Sequence, residues 1–166
     1  MLSIRTILLN GVLDEAGAES AGAQLRMLEE LDPEAPVRLC VSSPGGDLAA
    51  GLGLAAAVRD AGCPIWTLCM GQARGVALLV AASGTPGRRH ALPHTYLSLE
   101  LRPPAGVDAA APPGLRDLVV GELAGRCGRA VDDVTEDVAA GRVLTPEEGV
   151  AYGLVDRVVT SAGEIR

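Results

Sequence analysis

Val37 to Asp47, VRLCVSSPGGD, is the stretch on which the architecture turns. Val37 to Val41 is an apolar run of strand length. Ser42-Ser43-Pro44-Gly45-Gly46 follows as a tight turn: proline presets its own φ, and glycine admits backbone conformations closed to other residues. Asp47 stands where its carboxylate can cap a new helix, Leu48 to Ala61, and Gly62-Cys63-Pro64 breaks that helix. A continuously apolar strand, a glycine turn and a helix make one unit of an α/β layer. The turn glycines can also present backbone N–H groups to an open cleft, where they would stabilise a developing oxyanion.

The same alternation extends in both directions. Toward the N-terminus, Arg5 to Leu9 reads as a strand closed by Asn10-Gly11. Glu15 to Leu31 reads as a helix, with Ala21, Leu25, Leu28 and Leu31 at helical spacing and Asp32-Pro33 as its stop. Toward the C-terminus, Ile65 to Met70 is a third strand ended by Gly71, and Val76 to Ser83 a buried helix followed by the loop Gly84-Thr85-Pro86-Gly87. Tyr96 to Leu101 is a further strand. Pro103 to Pro113 holds four prolines and reads as loop. Leu115 to Cys127 and Val131 to Ala140 are helices. A last short helix has Thr145 as cap, Pro146 at its first position and Glu148 completing a capping box; Gly153 stops it before a final strand, Leu154 to Val159. The pattern predicts a mainly parallel sheet covered by helices, in a single domain over 1–166 with its core at about 5–159.

Composition narrows the function. Hydrophobic residues make up 48% of the 166, mostly Ala, Val and Leu, with one Trp, two Tyr and no Phe. Such a core buries little area per residue and gains from subunit contacts. The net charge is −7, and all 14 cations are arginine, which argues against nucleic acid or an anionic membrane as partner. Cys40, Cys63, Cys69 and Cys127 have no metal spacing, and Cys40 and Cys69 lie in apolar runs as core thiols. No leader pattern and no membrane-length run is seen, so a cytoplasmic, reduced protein without metal or cofactor is expected.

Four blocks carry a family resemblance. Ser43-Pro44-Gly45-Gly46 between strand and helix resembles the turn shared by Clp proteolytic subunits, signal-peptide peptidases and crotonases. Thr67 to Ala77, TLCMGQARGVA, resembles the segment that carries the Clp subunit's nucleophile. Gly87 to His94, GRRHALPH, resembles that family's Gly-Lys-Arg-Phe-Ala-Leu-Pro-Asn. Leu144-Thr145-Pro146-Glu147-Glu148 with Tyr152-Gly153-Leu154-Val155-Asp156 is similar to its C-terminal turn. The blocks occur in family order at close to family spacing. The resemblance implies the α/β spiral of short ββα units of Clp subunits and crotonases. It also implies an oxyanion turn at Gly45, Gly46 and Asp47 with Val76.

The resemblance also locates a Ser-His-Asp triad, and each of its positions is occupied by something else. The serine falls at Gly75. The histidine falls at Glu100 counting forward from Pro93, or at Leu101 counting back from Pro103, with Glu100 preferred; the aspartate falls at Gly141. Such a site needs a hydroxyl, a base to take its proton and a carboxylate to hold the base, so no activity is expected from these three. The family's long handle helix, which joins two rings, is shortened here behind Pro103, Pro104, Pro112 and Pro113. Ala139-Ala140 stands where a ring-bridging Asp-Arg pair is usual in the family, and, with the first strand so near residue 1, the axial loops that the resemblance implies are expected to be largely missing.

Other residues have plainer readings. Ser42 and Ser43 are turn hydroxyls, Ser98 alternates with Leu97 and Leu99 on a strand, Cys69 is core, and His90 replaces a packing aromatic. An Asp47–Glu100 acid/base pair ranks below a Glu100 that is solvated or paired with Arg74. Without lysine, the Ser-Lys mechanism of signal-peptide peptidases is out of reach. Two classes remain. One is a non-catalytic Clp-like subunit that forms a homo-oligomer or a mixed ring with active Clp subunits, with a Clp ATPase unfoldase as a further partner. The other is an enzyme: a Clp serine endopeptidase with displaced residues, or a crotonase-like acyl-CoA enzyme, for which the chain is short.

Overall fold

The computed structural model describes residues 5–107 and 111–165. Positions 108–110 of the expected loop, and both ends of the span 1–166, lie outside the described residues. The elements run β1 (Thr6–Asn10), α1 (Glu15–Leu31), β2 (Val37–Ser43), α2 (Leu48–Asp60), β3 (Ile65–Arg74), α3 (Val76–Ala82), β4 (Arg89–Ala91), β5 (Tyr96–Ser98), α4 (Leu115–Cys127), α5 (Val131–Ala139), β6 (Val143–Leu144), α6 (Pro146–Tyr152) and β7 (Arg157–Val158), with a 3₁₀ turn at Ala162–Glu164.

β1, β2, β3, β4 and β7 pair in that order, all parallel. β5 adds in parallel beyond β4, on the later residues of β3, and β6 pairs antiparallel with β5 at Leu97–Leu144 and Ser98–Val143. The architecture is the mainly parallel α/β sheet expected, with a short antiparallel extension at β5–β6. Ile7, Leu9, Val37, Leu39 and Val41 pack into the main core with residues of α1, α2 and α3, while Cys40 joins Leu68, Val159 and Ile165 in a second cluster. Burial on both faces explains the unbroken apolar runs of β2 and β3, whereas the edge strand β1 leaves Leu8 exposed. Helix starts follow local chemistry: the Asp14 carboxylate accepts from Gly17 N at 2.7 Å, Asp47 accepts from Ala50 N at 2.8 Å, and Thr145 and Glu148 form the full capping box.

Several boundaries differ from the sequence reading. β2 continues through Ser42 and Ser43, which belong to the strand rather than the turn. Gly71 does not end β3: at φ 66° it bends a strand that runs on to Arg74, because β5 supplies partners for Gln72, Ala73 and Arg74. The strand expected over Tyr96–Leu101 stops at Ser98, and Leu154–Val159 shrinks to β7, whose partner β4 is only three residues long. β4 and β6, each too short for a hydrophobic period, were not anticipated.

The strongest long-range polar contact joins β4 to the start of β7. Arg89 is 8% exposed. Its Nη2 donates to Asp156 Oδ1 at 2.7 Å, and its Nε and its backbone N–H both donate to Oδ2 at 3.0 Å. Nη1 donates to the carbonyl of Gly153 at 2.9 Å and lies within 3.4 Å of those of Ala82 and Arg126. One guanidinium thus ties the ends of α3, α4 and α6 to the sheet. Burial by itself would raise the Asp156 carboxyl, but the Arg89 hydrogen bonds outweigh it and hold it low. His90, next on β4, is also buried, with Nδ1 3.1 Å from the Thr67 carbonyl. Burial pushes its imidazole below the ordinary range, helped by Arg157 and against the pull of the Thr67 carbonyl.

Two predictions follow from these groups. Asp156→Asn leaves a buried guanidinium unpaired and should cost about 3 kcal/mol, read from urea denaturation. Both shifted groups have native values below their unfolded ones, so both contribute stability that is lost on acidification. The His90 share begins to fade below about pH 6.5, the unfolded value, and the Asp156 share below about pH 4. His90→Phe, with no proton to bind, should flatten the urea midpoint between pH 7 and 5; an unchanged slope would mean that His90 is not buried as a neutral ring.

Candidate functional site

The turn after β2 is held by its neighbours. Leu13 N donates to the Gly45 carbonyl at 2.9 Å and Asp47 N to the Leu13 carbonyl at 2.8 Å, so the turn lies against the segment entering α1. Gly46 has φ 156° and packs so closely on the Leu13 backbone that no Cβ fits, and a Cβ on Gly45 would stand 2.9 Å from the Arg74 carbonyl. The turn therefore abuts the junction of β3 and α3, where Gly75 stands. The N–H groups of Gly46 and Val76 donate to no acceptor among the described residues. Both glycines of the turn, Gly75 and Val76 are buried, whereas Asp47 is exposed.

The three positions that the resemblance singles out converge. Gly75 has φ 55° and ψ −123°, a glycine conformation, and its N–H donates to the Ser98 carbonyl at 2.9 Å. The carbonyl of Glu100 lies 2.6 Å from where a Cβ on Gly75 would sit, and a Cβ on Gly141 would be 3.7 Å from the Glu100 Cβ. Of Glu100 and Leu101, it is Glu100 whose side chain faces Gly141. Beside them opens a cleft of about 610 Å³, lined by Asp47, Glu100, Arg102, Pro112, Arg116 and Gly141 among others. Gly45, Gly46, Gly75 and Val76 do not line it.

Glu100 is the centre of the charge in this cleft. Arg102 Nη2 lies 2.6 Å from Oε1 and Arg74 Nη2 2.8 Å from Oε2. Hydrogen bonds from Arg102, then Arg74, hold its carboxyl below the ordinary glutamate range against partial burial. A carboxylate so held is a poor proton acceptor. Arg74 is the partner expected from the sequence. Arg102 is a second that sequence reading missed, although its i, i+2 spacing from Glu100 on an extended segment was visible. Asp47 shares the cleft, but its carboxylate is engaged at the start of α2.

Ser43, Ser98, Cys69 and Cys127 are buried or half-buried. Ser43 Oγ accepts from Gly45 N at 3.2 Å, and Ser98 Oγ accepts from Glu100 N at 3.2 Å; both residues are buried. Burial pushes the Cys69 thiol up to about 12 and the Cys127 thiol up to about 11, so neither is a thiolate at neutral pH. The exposed His94 sits in a turn at φ 63°. Among the described residues no group of three or more His, Cys, Asp or Glu could hold a metal ion, and no helix is long and apolar enough to cross a membrane. A network that the sequence did not disclose braces the Gly141 loop. The Tyr152 hydroxyl donates to Asp137 at 2.7 Å, Arg142 pairs with Asp137 at 3.3 Å and lies over the Tyr152 ring, and Leu99 N donates to the Arg142 carbonyl at 2.9 Å.

Known proteins resemble this chain along nearly its whole length. The Clp protease family model matches residues 1–162. The ATP-dependent Clp protease proteolytic subunit 2 of Chlamydia pneumoniae is 33% identical over 173 positions, covering 99% of this chain and 85% of the relative. Subunit 2 of Chlamydia muridarum is 33% identical, covering 100% and 86%, and subunit 1 of Chlamydia felis is 30% identical over the same shares.

The contact between positions 100 and 141 is testable. Gly141 has φ 61°, which Asp and Asn tolerate better than most residues. Gly141→Asp should cost about 1 kcal/mol and raise the Glu100 carboxyl by like-charge repulsion. Gly141→Asn should cost less and leave Glu100 where it was. Equal Glu100 titration by NMR in both variants would show that the two positions are not neighbours in solution.

Proposed function

This chain belongs to the Clp protease family as a homologue of its proteolytic subunits, and from that premise we propose that it is a non-cutting subunit with a structural or regulatory role. The observation that carries the reading is the meeting of Gly75, Glu100 and Gly141 at one place, with Glu100 neutralised by Arg74 and Arg102. Position 75 offers no nucleophile. Glu100, held ionised at neutral pH, neither takes a proton readily nor returns one as an imidazole does. Gly141 has no carboxylate to orient a base. The oxyanion turn at Gly45, Gly46 and Asp47 with Val76 is kept as scaffold. No displaced nucleophile competes well, since Ser43 and Ser98 are buried and bound to backbone N–H groups. A crotonase-like role is disfavoured by the match of the Clp protease family model across residues 1–162.

The same reading gives the protein a place in a cytosolic Clp-type assembly, with itself or with active subunits, and with a Clp ATPase unfoldase as a further partner. Leu8 at 60% and Val12 at 42% exposure, on and just after the edge strand β1, supply apolar surface for side-to-side contact. The pairing of two rings is weakened. Ala139 and Ala140 are exposed and without charge, and the exposed Arg142 pairs with Asp137 and lies over the Tyr152 ring of its own chain. A single or mixed ring follows.

The purified protein should not react with a serine-directed fluorophosphonate and should hydrolyse neither peptide esters nor unfolded protein, with or without an unfoldase. Gly75→Ser alone should stay inactive. Activity that survives removal of active subunits and disappears with Ser42→Ala or Ser98→Ala would reverse the proposal. Sedimentation should show an oligomer, alone or mixed with active Clp subunits; a monomer at micromolar concentration under both conditions would remove assembly as its role.

A further inference from the structure

We infer that the site is closed in its backbone as well as emptied of its side chains: the carbonyl of Glu100 occupies the volume that any side chain at position 75 would need. The inference rests on reading position 75 as the vacated nucleophile position, and it adds that restoring the three side chains does not restore the site.

A Cβ on Gly75 would lie 2.6 Å from the Glu100 carbonyl oxygen and 3.4 Å from the Leu101 Cα. The Glu100 carbonyl oxygen is a main-chain atom, so no rotamer change relieves this contact. The obstructing segment is pinned along its length. Leu99 N donates to the Arg142 carbonyl at 2.9 Å and Glu100 N to Ser98 Oγ at 3.2 Å. The carboxylate is held from two sides by Arg74 and Arg102, and Leu99 and Leu101 are buried at 0% and 3% exposure. Retreat of the carbonyl would strain these contacts. Gly75 itself is at φ 55°, ψ −123°, which adds a second penalty for any side chain.

The closure reaches the cleft. Its wall includes Asp47 and Glu100, while Gly75, Val76, Gly45 and Gly46 are buried and do not line it. A chain segment lying in the cleft would meet the Glu100 side chain before it could reach position 75. The fold therefore keeps the cleft and seals off the place where chemistry would occur, a self-obstructing contact that makes the subunit non-cutting whatever it assembles with.

The test combines two variants. The triple variant Gly75→Ser, Glu100→His, Gly141→Asp should remain unlabelled by a fluorophosphonate and hydrolyse peptide esters no faster than the unaltered protein. Labelling, or a gain above about 10-fold, would overturn the closure. Gly75→Ala, which adds a methyl group and no chemistry, should lower Tm by about 5 °C and speed hydrogen exchange at the Leu99 amide. An unchanged Tm with unchanged exchange would overturn the closure even if the triple variant fails to fold. Labelling of the unaltered protein is a different result: it would defeat the inactive reading, while Gly75→Ala would still decide whether position 75 is obstructed.

Discussion

The Arg89–Asp156 pair is the contact on which the assembly of this fold depends. A guanidinium this buried is tolerated only if its donors are used. Here Asp156 takes Nε and Nη2, and backbone carbonyls at the ends of helices receive Nη1. Those carbonyls are the ones a helix leaves without internal partners. The arginine thus satisfies groups that would otherwise be stranded, and in doing so fixes where α3, α4 and α6 end against the sheet. The pair also stands at the junction of β4 and β7, where Asp156 N donates back to the Arg89 carbonyl at 2.7 Å and Val159 N to that of Ala91 at 3.0 Å.

A second arginine–carboxylate set does something different. Arg74 and Arg102 hold Glu100 at 27% and 80% side-chain exposure, in contact with water, where such pairs contribute little to stability. Their effect is local. They keep the carboxylate ionised and stationary, and through it they help fix the extended segment whose carbonyl lies against Gly75. Arg142 braces the same segment from the other side through its own carbonyl and through Asp137 and Tyr152. The region of the site is therefore held by its neighbours through both backbone and side-chain contacts.

Much of this was legible beforehand because it is local. Glu15–Leu31 ends where its hydrophobic spacing and stop signal end, Leu115–Cys127 keeps its expected bounds, and Thr145 with Glu148 announces its helix from within four residues. The Arg74–Glu100 pair followed from two charges flanking one expected vacancy. What was missed has a common cause. β4 and β6 are three and two residues long and exist only because a neighbouring strand offers hydrogen bonds, a fact no spacing records. Gly71 looked like a terminator because glycine ends strands when nothing pairs beyond it; β5, from 25 residues or so later in the chain, supplies the pairing. Arg89 and Asp156 were quoted as parts of two separate blocks, and only folding shows that the blocks meet.

By itself, then, the sequence determined the layer pattern, the helix caps, the family and the identity of the residues at positions 75, 100 and 141, because these depend on residue type and on neighbours a few places away. Tertiary structure decided the rest: that the three positions meet, that Glu100 is held by two arginines, that a carbonyl stands where a side chain at position 75 would go, and that one guanidinium gathers three helix ends. Each of these depends on distances between residues far apart in the chain. Those distances are set by sheet register and by the demand that buried polar groups find partners, and neither is written in any short stretch of residues.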